Sequence, residues 1–323
     1  MNFILDAKHK RSDNRGMNKL PLEKRAQILG MMVEGMSIRS IVRMTGASKN
    51  TVAKLLADAG LACSDYQDRA FRELPCKKLQ LDEIWSFVGA KEKNVPAEKK
   101  GLGIGDVWTW TAICADTKLV PSWFVGGRDS EHALAFCADL KGRLGGRVQI
   151  TSDGHRAYLS AVEKTFGDDV DYAQLQKIYG KPHGEVEAHR RYSPTPCLGA
   201  KKEALIGAPN MKDVSTSYVE RQNLNIRMGL RRFTRLTNAF SKKMENHCHA
   251  LSIYFMHYNF ARIHQTTRVT PAMACGVTEK LWDMADIVRM VEAYERGEVM
   301  ETERKFGGKL RVGPISKSAH TYE

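Results

Sequence analysis

Long apolar runs are missing from this sequence. No stretch reaches the roughly 18 apolar residues of a membrane-spanning helix. The opening "MNFILDAKHKRSDNRG" has neither the apolar stretch nor the small-residue cleavage site of a secretory leader, so the expected compartment is the cytoplasm. Cysteine is sparse and scattered: seven residues, at 63, 76, 114, 137, 197, 248 and 275, with no CxxC pair. That spacing argues against a disulfide framework and a zinc knuckle. There is no internal repeat and no low-complexity block. Acidic residues are also short, 37 against 50 Lys and Arg, which leaves a net charge of +13 on 323 residues. A field of that sign attracts polyanions, nucleic acid first and anionic membrane second. Nucleic acid is the expected partner, and the nucleoid the expected place.

What is present divides into segments. Residues 1–20 read as a loose basic tail and 21–62 as helices, with 63–78 as a linker. From Leu79 to about Tyr179 strand and helix patterns alternate, the mark of an α/β core. Gly, Pro and charge dominate 180–214, which reads as a long loop inserted in that core. Helical patterns return at 215–260, and 278–323 reads as a helix followed by a tail.

In the N-terminal part, "LEKRAQILGMMVEGMSIRSIVRMTGASKNTVAKLLADAG" divides into three helices. The first runs from Leu22 to Glu34 and stops at Gly35. Ser37 caps the second, Ile38–Thr45, and Ser48 the third, Lys49–Ala59. Two short helices joined by a tight Gly turn resemble the helix-turn-helix of bacterial DNA-binding proteins. The start of the second helix enters the major groove in that motif. Here it carries Lys49, Asn50, Thr51 and, one turn on, Lys54, residue types suited to base edges and phosphates.

Three carboxylates stand out in the α/β part. Asp82 sits in the strand "LQLDEIWSF", Asp153 in "VQITSDGHRAY" after an apolar strand, and Glu220 in the helical "STSYVERQNLNIRMGLRRFTR". Alone, Asp153 before Gly154 reads as a turn residue. Strand parity puts Asp82 with Ile84 and the neighbouring acid Glu83 with Leu81 and Trp85. Parity does not say which face meets a site, so Glu83 competes with Asp82.

"LDEIWSFVGAKEKN", "TSDGHRAYLSAV" and "SYVERQNLNIRMGLRRFTRLTNAFSKKMENH" together resemble DDE-type insertion-sequence transposases, and within them the insertion-sequence-one family. The resemblance covers Leu79 to Val277. It implies a ribonuclease H-like fold: a mixed five-stranded sheet flanked by helices, with two Asp on neighbouring strands and the Glu on a helix. It also implies that Asp82, Asp153 and Glu220 are catalytic and hold two Mg²⁺ ions, with Mn²⁺ as a substitute. The expected activity is cleavage of element ends and transfer of the freed 3′-OH to a target strand. The partners would be double-stranded DNA and further copies of the chain, since two ends must be held together. A nuclease that does not join strands and a non-catalytic DNA-binding regulator are the alternatives.

Positions 3, 7 and 11 after Glu220 fall within about 60° of it on a helix. These are Asn223, Arg227 and Arg231, and Arg232 and Arg235 extend the positive track, all suited to phosphate. Further on, "YNFARIHQTTRVTPAMA" resembles the segment closing many integrase-like cores, with Asn259, Arg262 and His264 as the matching residues. "HCH" at 247–249 points three ways on a helix, which favours structural roles.

Overall fold

A computed structural model describes residues 19–180, 197–234, 238–298 and 300. The chain folds as two compact units. One takes Met1–Ala70, Phe87–Gly105 and Ile226–Glu323; the other takes Phe71–Ser86 and Asp106–Asn225.

The second unit is α/β and carries a six-stranded sheet. Its strands are β1 (Lys78–Val88), β2 (Gly105–Cys114), β3 (Ser122–Gly126), β4 (Val148–Ser152), β5 (Val170–Tyr179) and β6 (Cys197–Ile206), in the order β3-β2-β1-β4-β5-β6. β1, β4 and β5 run parallel; β2–β3 and β5–β6 are antiparallel. This is the mixed, ribonuclease H-like sheet the resemblance implies, with one strand more than expected. The extra strand is β6, which falls inside the stretch read as a loop. Its register with β5 runs from Tyr172↔Ile206 to Tyr179↔Cys197. Ten exposed or half-exposed residues in β6 gave no alternating apolar signal to read.

Two helices follow the strands: α4 (Ser130–Lys141) between β3 and β4, and α5 (Arg156–Phe166) between β4 and β5. Asp129 caps α4 through His132 N. Trp110 of β2, Phe136 of α4 and Tyr158 of α5 are fully buried against one another. A further helix follows β6, Ser217–Gly229, and its N-terminal part belongs to this unit.

The other unit is helical. It holds α1 (Leu22–Val33), α2 (Ile38–Thr45) and α3 (Lys49–Ala70). With α6 for Ser217–Gly229, the later helices are α7 (Met244–Met256) and α8 (Met284–Arg296). α3 is twice as long as expected and runs through the first half of the stretch read as a linker. It stays helical because its apolar face continues with Ala59, Ala62, Cys63, Tyr66 and Ala70, all buried. That face packs on α7 and α8, and α1 packs on α8 and α7. Gly60 permits the close approach of α3 and α7: a Cβ there would lie 2.4 Å from His249 Cβ. Ser252 Oγ donates to Gly60 O at 2.8 Å across the same contact. At the other end, Gly46 in the left-handed conformation (φ 70°) turns α2 into α3, and Ser48 Oγ accepts from Thr51 N. Ser37 caps α2 as expected.

Candidate functional site

The parallel pairing of β1 with β4 ends at Leu81↔Ser152. Asp82 and Asp153 are therefore the next residue on each strand, side by side where the two backbones part. Parallel strands open a crevice at their carboxyl ends, and ligands of α/β sheets sit there. Asp153 also serves as the turn residue its sequence suggested: Oδ1 accepts from His155 N at 3.0 Å.

Strand parity places Gln80 on the same face of β1 as Asp82. Gln80 is buried, and its Oε1 accepts from Tyr218 N (2.8 Å) and Val219 N (3.2 Å) in the first turn of α6. Those amides have no partner inside their own helix. One turn on, Asn223 Nδ2 donates to Asp82 Oδ2 at 2.8 Å. β1 thus grips α6 at two points, and the grip brings Glu220 to the crevice.

Glu220 has its own partners. Lys177 Nζ of β5 lies 2.5 Å from Oε2, and Thr216 Oγ1 donates to Oε1 at 2.6 Å. Asp82, Asp153, Glu220, Lys177 and Thr216 line one open pocket of about 840 Å³, together with Arg128, Arg156 and His155.

The tightest carboxylate trio is a different one. Oxygens of Asp82, Glu83 and Asp153 lie within 4.8 Å of one another. Glu83, however, has both oxygens occupied: Arg128 Nε donates to Oε1 (2.7 Å) and Tyr158 Oη to Oε2 (3.0 Å). Its side chain is 1% exposed, and it does not line the pocket. The two adjacent acids therefore divide their roles by face, Asp82 toward the crevice and Glu83 toward the core.

Burial pushes the Asp82 carboxyl up to about 7, and the charges of Glu83, Asp153 and Glu220 push the same way. Three acids lining a pocket, with one driven toward neutrality by burial and by its acidic neighbours, suit a hard cation, which takes oxygen ligands. A second observation agrees. Asn223 Oδ1, on the amide that touches Asp82, is buried without a partner among the described residues. The donor set fits a divalent ion.

The remaining sequence-derived residues separate by environment. Lys49 and Asn50 are exposed at the start of α3. Thr51 is half-buried and its hydroxyl meets Ser48 Oγ at 2.9 Å, while Lys54 pairs with Asp58 at 2.5 Å. Arg227 is half-buried and Arg231 exposed. Arg232 departs from its expected role on the phosphate track. It turns inward, and its Nη1 donates to Ser241 Oγ (3.0 Å) and Asn246 O (2.7 Å). Burial pulls its guanidinium down to about 10, so it acts as a cross-link inside the helical unit. Asn223 likewise spends its Nδ2 on Asp82. Arg235 lies outside the described residues. His247 and His249 are buried in α7, as structural residues would be. Gln80, Arg128 and Lys177 were missed. All three act across long sequence separations, and no local pattern marks them.

No protein-family model matches this chain, and no curated protein does. Among solved structures, a piggyBac transposase synaptic complex with hairpin DNA superimposes with a TM-score of 0.32 at 10% identity, over 88% of this chain and 75% of that one. A Mos1 transposase paired-end complex with the left transposon end gives 0.19 at 12%, over 47% and 60%. A Mos1 mariner paired-end complex with Mn gives 0.19 at 11%, over 49% and 62%. The chain thus spans about three-fifths of the Mos1 chains' length. Likenesses this loose leave the functional reading to the residues themselves.

Proposed function

We propose that this chain is a metal-dependent DNA transposase of the DDE type, akin to the insertion-sequence-one family, that cuts the ends of a mobile element and joins them to a target. One observation carries the reading: Asp82 and Asp153 are adjacent just past the last β1–β4 pair, and Glu220 lines the same pocket from a helix pinned to β1. Bare carboxylates repel a phosphodiester. Asp82, Asp153 and Glu220 would hold divalent ions, Mg²⁺ or Mn²⁺. Two such ions, when bound, activate an attacking oxygen and stabilise the leaving one in displacement at phosphorus.

The protein's own groups prepare that chemistry. Gln80 fixes the pitch of α6 on β1, and Asn223 holds Asp82 Oδ2 in place. Lys177 pairs with the Glu220 carboxylate at the pocket, and Glu220 would be the ligand that the helix supplies. In the N-terminal part, Lys49 and Asn50 at the exposed start of α3 would read the element ends, supported by the Gly46 turn and the Ser48 cap. Arg227 and Arg231 would contact phosphates. Holding two ends calls for more than one copy of the chain.

The test is a paired assay with labelled duplexes taken from the DNA flanking the coding sequence. With Mg²⁺ or Mn²⁺, the wild type is expected to nick these duplexes and to insert a pre-cut 3′-OH end into a target. Hydrolysis without joining marks a nuclease; binding without cutting under either metal marks a regulator. Asp153→Asn is expected to abolish cutting and to leave gel-shift affinity within about twofold.

A further inference from the structure

Glu83 poses a physical question. Burying a carboxylate costs several kcal/mol unless partners compensate it, yet this one contributes no ligand to the pocket. What it does is hold Arg128. The guanidinium is fixed on two sides: its Nε donates to buried Glu83 Oε1 at 2.7 Å, and its plane lies over the Trp108 ring, 4.7 Å from the centroid. Tyr158 Oη holds the other Glu83 oxygen, so the carboxylate cannot swing away with the arginine. Only the Nε edge is used. Nη1 and Nη2 have no partner among the described residues, the side chain is 41% exposed, and it lines the pocket with Asp82 and Asp153. Glu83 in turn lies within 4.8 Å of those aspartates.

We propose that Arg128 is a phosphodiester-binding residue of this pocket, pre-oriented by the Glu83–Tyr158 pair and the Trp108 face, with its two Nη groups receiving non-bridging phosphate oxygens. A guanidinium fork matches phosphate geometry, and one already fixed in place loses little entropy on binding. Arg232, by contrast, is buried and spends its Nη1 on the protein. This reading rests on the proposed function for the identity of its substrate, since it names the residue that holds the strand at the carboxylates.

Dithymidine monophosphate, a dinucleotide with a single phosphodiester, is the probe. Its binding to the full-length protein is followed by saturation-transfer NMR in Ca²⁺, which neutralises the carboxylates. Arg128→Gln is expected to weaken binding about tenfold and Arg128→Lys about threefold, the lysine keeping charge but losing the fork. Both variants are first compared with the wild type by thermal melting. If Arg128→Gln does not fold, the lysine variant decides alone. Equal affinity in the wild type and the folded variants overturns the inference, and so does absence of binding by the wild type. Duplex cleavage separates this outcome from the fate of the proposed function. Cutting by the wild type with KM and kcat unchanged in the variants sinks only the role of Arg128. Arg128-dependent dinucleotide binding in a protein that never cuts DNA sinks only the transposase reading.

Discussion

At the scale of single residues, the electrostatics of Asp82 set an unusual sign for a mutation. Burial and three neighbouring acids oppose its charge in the metal-free protein. Asp82→Asn removes that opposition and keeps the shape that Asn223 contacts. The expected result is a higher melting temperature in EDTA at neutral pH, by several degrees, with cutting lost. A lower melting temperature would show that the carboxylate is compensated. The same residues show how far the sequence could be read. Strand parity offered Asp82 and Glu83 on opposite faces and could not choose between them; only the family resemblance named Asp82. The choice is made by Tyr158, Arg128 and Asn223, which lie 75, 45 and 141 residues from their carboxylate partners.

Among elements, α6 depends on a residue that no helix pattern names. Gln80 supplies the acceptor for two amides of its first turn, both otherwise lacking a partner in the helix. Gln80→Leu keeps the volume and removes the acceptor. It is expected to cost about 1–3 kcal/mol, the range for unsatisfied buried donors. Cutting should fall as well, because Glu220 rides on the same turn. Unchanged melting and cutting would mean that α6 is held elsewhere. The α3–α7 contact gives a second case. Gly60→Ala puts a methyl group 2.4 Å from His249 Cβ, where only helix displacement relieves the clash. Overpacking of this kind costs about 1–3 kcal/mol, read as a lowered melting temperature. Helix starts and stops were legible here, since Ser37, Gly46 and Ser48 act within four residues of themselves. The length of α3 was not, because Tyr66 and Ala70 are polar-flanked positions whose burial comes from α7 and α8. β6 was illegible for the opposite reason: it pairs through its backbone and buries almost nothing.

For the molecule as a whole, the order of the chain is not the order of its bodies. The helical unit takes three separated segments and the α/β unit two. A cut at residue 62, where composition suggested a linker, falls inside α3. The fragment 19–62 is therefore expected to show little helical circular dichroism and no cooperative melt, since it lacks α7 and α8. A folded fragment would overturn this. Acid should attack the helical unit through buried histidines. Burial pulls His247 down to about 3, with the Arg232 charge adding to the effect, and pulls His257 to about 4 with Arg262 beside it. The unfolded chain takes up protons near pH 6.5, while the folded state refuses them. Stability should therefore fall as pH drops from about 6.5 toward 4, by a few kcal/mol in all. His247→Asn should flatten the part of that slope due to this side chain, read from melting temperatures across the range.

The last β1–β4 rung, Leu81↔Ser152, works as a gauge. Neighbouring strands lie about 4.8 Å apart wherever backbone hydrogen bonds hold them. The separation of the two aspartates is thus inherited from the peptide ladder and owes little to the shapes of core side chains. Such a site is forgiving in one way and brittle in another. Conservative changes in the apolar core leave the gauge intact. Deletion of Val148 at the start of β4 would slide the rest of the strand by one rung, turn each following β4 side chain to the opposite face, and set Gly154 where Asp153 stands.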